Sequence, residues 1–137
     1  MNKLRGRITG IESNDHVSLV DVDVYGDSFT ATLLETPEDS PYLQVGSEVI
    51  VLFKETEVSL AKGLSGLISL RNRVNAIVKQ VRSGIILSEV VLEYRGQTLS
   101  SIITTRSITR LDIKAGDEVE AMVKANEVTL MEVGDEL

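Results

Sequence analysis

The sequence predicts an all-β chain folded as two tandem OB-like small β-barrels, each with about five strands and one short helix. Three observations carry that expectation. The chain repeats itself at a fixed offset, both copies alternate apolar and polar residues around Gly-centred turns, and each copy is too short for a larger architecture.

The repeat is read by shifting the sequence 70 residues without a gap, which lays "VGSEVIVLFKETEVSL" (45–60) on "AGDEVEAMVKANEVTL" (115–130). Gly46, Glu48, Val49, Lys54, Glu57, Val58 and Leu60 then meet Gly116, Glu118, Val119, Lys124, Glu127, Val128 and Leu130. At the same offset Asn2 meets Asn72, Val20 meets Val90 and Gly26 meets Gly96. The division that follows is a diverged first module over 1–62, a linker over 63–68 and a second module over 69–137.

Within each copy the elements come in the same order. "LVDVDVYGDSFTATLL" alternates on both sides of Tyr25-Gly26-Asp27-Ser28, and "EVVLEYRGQTLSSIIT" alternates around Arg95-Gly96-Gln97, so each reads as a hairpin. The polar segments "PEDSPYLQVG" and "TRSITRLDIKAG" leave room for one or two helical turns before the Gly. A β-rich pair, "EVIVLFKETEVSL" or "EVEAMVKANEVTL", closes each copy. A module this small buries little core, so pairing with its twin and with other chains is expected on stability grounds.

Composition excludes several chemistries. With no cysteine there are no disulfides, thiolate metal sites or Cys nucleophiles, and the single histidine, His16, lies in the polar turn "ESNDH". "DVDVYGD" (21–27) carries Asp at calcium-loop positions, but Thr32 stands where the bidentate Glu belongs and the alternation predicts a strand. No Gly-rich phosphate loop, paired-carboxylate site or nucleophile–base pair is present, so the chain is read as a non-enzyme without cofactor or metal. A net charge of −7 argues against a nucleic-acid partner. No apolar run approaches the roughly 20 residues of a membrane span, and "MNKLRGRITG" lacks the apolar core of a signal peptide, which predicts a cytoplasmic protein with no membrane partner.

Charge is divided unevenly. Residues 1–67 hold five basic and eleven acidic groups, and residues 68–137 hold nine and ten. The second copy also concentrates hydrogen-bond donors. Ser69 and Arg71 precede its first strand, Thr104 and Ser107 fall where a helix would begin, and Lys124 ends its fourth strand. Alone, Thr104 or Ser107 reads as a helix N-cap. The first copy has Met1, Leu34 and Pro37 at the places of Arg71, Thr104 and Ser107 and keeps only the lysine, Lys54. The scaffold does not require these polar groups, which favours a ligand, and an oxyanion suits a set made only of donors.

"SLRNRVNAIVKQV" resembles the opening Ser-Ala-Arg-Asn of the molbindins. "ITTRSITRLDIKAGDEVEAMVKANEVTL" is similar to their Thr-x-x-Ser helix and their Gly-Asp-Glu-Val…Lys-Ala strand pair. "NKLRGRITGI" with "LQVGSEVIVLFKETEVSL" resembles a second, more diverged Mop (TOBE-type) module. The resemblance implies OB-like barrels, oligomers built by strand exchange, and molybdate or tungstate bound between subunits. Carried over by position, it makes Ser69, Arg71 and Lys124 the main oxyanion ligands. Thr104 and Ser107 would add hydroxyl or amide donors, and Leu70, Ala125 and Asn126 backbone groups. It sets Ser69 and Arg71 across a subunit interface from Lys124. Leu70 replaces the usual Ala, and Asn126 stands where Ser is common.

The function expected is cytoplasmic storage or homeostasis of molybdate or tungstate by a homo-oligomer, a trimer favoured over a dimer. The alternative is an oxyanion-sensing regulatory or interaction module of a molybdate transporter or regulator, acting in trans.

Overall fold

The computed structural model describes residues 1–134. Ten strands fall into two five-stranded antiparallel sheets. The first half supplies β1 (Asn2–Asn14), β2 (Val17–Val24), β3 (Asp27–Leu33), β4 (Glu48–Phe53), a 3₁₀ turn η1 (Glu55–Glu57) and β5 (Ser59–Ala61). The second half supplies β6 (Asn72–Arg82), β7 (Leu87–Tyr94), β8 (Gln97–Thr104), helix α1 (Thr105–Leu111), β9 (Glu118–Val123), η2 (Ala125–Glu127) and β10 (Thr129–Glu132).

The alternation that marked the hairpins is the burial pattern of the strands. In β2, Ser18, Val20, Val22 and Val24 point inward, and in β7 Ser88, Val90, Leu92 and Tyr94 do the same. Long β1 serves two partners, β4 through its first half and β2 through its second, and a bulge between Ile8 and Gly10 bends it from one to the other. β6 has the equivalent bulge between Val78 and Gln80. Gly46 and Gly116 are preserved by the repeat because each closes that bend at positive φ, +97° and +93°. Their amides donate to the Ile8 and Val78 carbonyls at 2.8 Å.

The sheets do not follow the sequence copies. Strand order is β10-β4-β1-β2-β3 in one and β5-β9-β6-β7-β8 in the other, so each copy's last strand completes its twin's sheet. Neither ladder closes into a full barrel, although the edge pairs β10/β3 and β5/β8 approach each other. The expected helix forms only in the second copy. In the first, Pro37 and Pro41 interrupt the segment, and it folds as turns in which the Asp39 and Ser40 amides share the Thr36 carbonyl. One apolar core runs through both modules, with Phe29 and Phe53 stacked at 6.1 Å beside Val58, Val74 and Leu99. Among the described residues no helix is long and apolar enough to cross a membrane.

Candidate functional site

The β6–β9 ladder ends at the pair Asn72 and Val123. Arg71 and Lys124 are the next residues on the two strands, so they leave the sheet side by side. An antiparallel pair sets the start of one strand beside the end of the other, so the two cations of one chain lie together. Both side chains are exposed, and neither makes a hydrogen bond or ion pair to its own chain among the described residues. Ser69 is exposed just before Arg71, with Leu70 half-buried between them. After Lys124 the chain turns into η2, whose opening residues are Ala125 and Asn126. The first amides of a helical turn have no partner inside it, so they face outward as donors.

Thr104 and Ser107 lie elsewhere. Thr104 pairs with Leu87, beside the C-terminal end of β6, whereas Arg71 precedes its N-terminal end. The Thr104 hydroxyl caps α1 by accepting from the Ser107 amide at 3.1 Å, and the two hydroxyls sit 2.8 Å apart. Within one chain the donor set is therefore split, with one group at the η2 end of the second sheet and the other at its α1 end.

Asn72, the last residue of the Ser-Leu-Arg-Asn stretch, has a different task. It is buried, its amide nitrogen donates to the Thr30 carbonyl at 2.9 Å, and its amide oxygen accepts from the Thr30 N–H at 2.6 Å. Asn2 grips Ser100 in the same two-bonded way, at 2.9 and 2.8 Å. Each module thus clamps the other's edge strand through one asparagine, and η2 lies against β3 as η1 lies against β8. The clamp fixes Arg71, its neighbour, at the seam between modules. The repeat carried a signal for this role, because Asn72 keeps a counterpart in Asn2 while Arg71 meets Met1.

The first copy's equivalent position is electrically different. Glu55 stands where the second copy has Ala125, and its carboxylate accepts from the Met1 ammonium at 2.6 Å. That hydrogen bond holds Glu55 below the usual carboxylate range. Lys54 is thereby followed by a carboxylate where Lys124 is followed by a methyl group. At the seam the side chains of Glu57 and Glu127 meet, and their mutual hydrogen bond, then burial and repulsion, raise the Glu127 carboxyl above its ordinary value.

The TOBE domain model matches this sequence twice, over residues 1–60 and 68–130. The chain belongs to the TOBE domain family. It carries two copies, and those two matches cover nearly all of the described residues. Among solved structures, this TOBE chain is similar to the cytoplasmic molybdate-binding protein ModG in a molybdate-bound crystal form. That match has a TM-score of 0.89 and 27% identity, and covers 96% of this chain and 95% of the other. It is 35% identical over 107 residues to the molybdenum-pterin-binding protein MopB of Rhodobacter capsulatus, covering 77% of this chain and 40% of that protein. It is 38% identical over 65 residues to molybdenum-pterin-binding protein 3 of Clostridium pasteurianum, covering 47% of this chain and 96% of that one. A third relative, the molybdenum transport protein ModE of Herbaspirillum seropedicae, is 29% identical over 127 residues. The chain spans 47% of ModE and 40% of MopB, about half of these longer relatives or less.

Proposed function

We propose that this tandem TOBE protein binds molybdate or tungstate in the cytoplasm, for storage or homeostasis, at sites completed between copies of the chain. The observation that carries the reading is the pair of exposed cations Arg71 and Lys124, without a side-chain hydrogen bond or ion pair among the described residues and brought together by the β6–β9 ladder. Ser69 and the amides of Ala125 and Asn126 adjoin them, and Leu70 contributes backbone only. Molybdate is a tetrahedral dianion with four acceptor oxygens and no proton to give at neutral pH, so donors alone accept it.

Each hydrogen bond to a charged group is worth about 1.5–3 kcal/mol. Four or five of them, less desolvation and ordering, leave about 8 kcal/mol, which is micromolar binding. The likeness to ModG, a molybdate binder matched along nearly its whole length, supports the ligand class. The split of Thr104 and Ser107 from Arg71 and Lys124 supports assembly, since a second copy can bring its α1 to the first copy's cations.

Calorimetry with molybdate, tungstate and sulfate tests the reading. Heat with the first two at micromolar concentration and none with sulfate is expected. Absence of heat with molybdate and tungstate removes the proposal. A second reading, an oxyanion-sensing module acting in trans, is favoured by the 47% of ModE that the chain spans. It predicts recovery of a transporter or regulator subunit from cells in a ligand-dependent manner.

A further inference from the structure

The ladder that brings Arg71 and Lys124 together is repeated in the first module. β1 and β4 end at the pair Asn2 and Phe53, as β6 and β9 end at Asn72 and Val123. Met1 and Lys54 are the next residues on those two strands, so they leave the first sheet side by side. Both are exposed, and each brings an ammonium group, Met1 through its amino nitrogen and Lys54 through its side chain. The first module therefore has a cation pair of its own at the end of its central ladder.

What differs is the residue that follows the lysine. Glu55 opens η1 where Ala125 opens η2, and both are half-buried. The Glu55 carboxylate accepts from the Met1 ammonium at 2.6 Å, and that bond holds it below the usual carboxylate range, so it is charged at neutral pH. A carboxylate offers acceptor oxygens only, as a tetrahedral oxyanion does. Ala125 has only a methyl group, so its side chain places no acceptor beside Arg71 and Lys124.

We infer that the Glu55 carboxylate is a built-in anion for the first module, standing where a free oxyanion is held in the second, and that it confines oxyanion binding to Arg71 and Lys124. The inference deepens the oxyanion reading and rests on it for the identity of the ligand. Tethering decides the competition. A group fixed to the chain acts at high effective concentration, so a dianion from solution has to displace it. A dianion that enters without displacing it sits beside a like charge, which is disfavoured. The identity of one residue, Glu or Ala after the lysine, thus sets whether a copy of this scaffold takes ligand. The Met1 ammonium also lacks the planar fork of Arg71, so an opened first module holds the anion more weakly than the second.

The test counts molybdate bound per full chain at saturation by equilibrium dialysis with metal analysis, and follows affinity by calorimetry. Compared are the wild type, Glu55→Ala, Glu55→Ala with Lys54→Ala, Ala125→Glu and Ala125→Gln. None of the three positions belongs to the buried core, and circular dichroism with melting checks that each variant folds. Glu55→Ala is expected to bind more molybdate per chain than the wild type, with the added sites about tenfold or more weaker, and the further loss of Lys54 is expected to cancel the gain. Ala125→Glu copies the first module's carboxylate into the second and is expected to lower affinity about tenfold or more, whereas Ala125→Gln, of the same size without the charge, lowers it less.

A Glu55→Ala chain that binds the wild-type number overturns the inference. So does a gain that survives the loss of Lys54, an Ala125→Glu chain that binds as the wild type does, or an equal loss in Ala125→Gln, which assigns the effect to bulk. The two ideas fail separately. A wild type that binds molybdate while Glu55→Ala adds nothing removes the built-in anion and leaves the oxyanion reading standing. A wild type that binds none while Glu55→Ala binds it removes the reading of Arg71 and Lys124 and supports the built-in anion. No binding by either chain removes both.

Discussion

Arg71→Ala removes an exposed guanidinium that has no partner within the described chain, so the fold loses nothing while the proposed anion loses a bidentate donor. The expected outcome is an unchanged melting temperature with molybdate affinity down at least tenfold, from about 1.4 kcal/mol or more of lost interaction. Lys124→Ala is expected to do the same in calorimetry. Lys54→Ala is expected to change little, since Glu55 already sets a carboxylate beside that lysine. Because Arg71 and Lys124 adjoin within one module, mixing Arg71→Ala chains with Lys124→Ala chains restores no site even when chains exchange. Recovered binding in that mixture contradicts the single-module pair. Asn72→Ala acts on stability instead. It deletes two hydrogen bonds and strands the Thr30 backbone in a buried seam, at a cost of about 2–4 kcal/mol in urea unfolding. Arg71 was singled out in the sequence as a residue type that the twin copy lacks, whereas Lys124 has a counterpart in Lys54. Their grouping was not legible there, because spacing along a chain does not report which strand ends adjoin, and Thr104 with Ser107 proved to lie at the other end of the sheet.

At the scale of elements, the two 3₁₀ turns carry a pH dependence. Glu127 holds its proton more tightly in the folded state than in the unfolded chain, chiefly through its hydrogen bond with Glu57. The folded state therefore loses relative stability as pH climbs from the ordinary carboxylate value of 4.5 through the raised one. Glu127→Gln is expected to melt above the wild type near neutral pH, with the gap closing below that ordinary value. A gap that persists unchanged in acid excludes the carboxylate pair as its cause. The hairpins around Gly26 and Gly96 were legible because alternation on both sides of a turn residue leaves one register. The helix was legible only as a length of polar chain. Which copy forms it depends on Pro37 and Pro41, and Leu34, at the place of Thr104, leaves the first copy without a hydroxyl cap there.

For the whole molecule, the repeat foretold two modules but not which strand each sheet receives. Periodicity places residues on faces and is silent about the identity of an edge strand's neighbour, so it does not reveal the passage of β5 into one sheet and β10 into the other. The consequence is one of timing during synthesis. When the ribosome has released residues through Ala61, the first sheet has four of its strands, and the fifth, Thr129–Glu132, follows every strand of the second sheet along the chain. Until then β4 presents an unpaired edge, and what comes next in the chain, β5, is committed elsewhere. The first half must wait open for its own completion, and any free β10 from a neighbouring nascent chain fits it equally well. Separately produced halves, cut in the exposed stretch around Leu67, are accordingly expected to be unstable alone and to yield the native near-ultraviolet signal only when mixed. A first half that melts cooperatively as a monomer on its own contradicts that expectation.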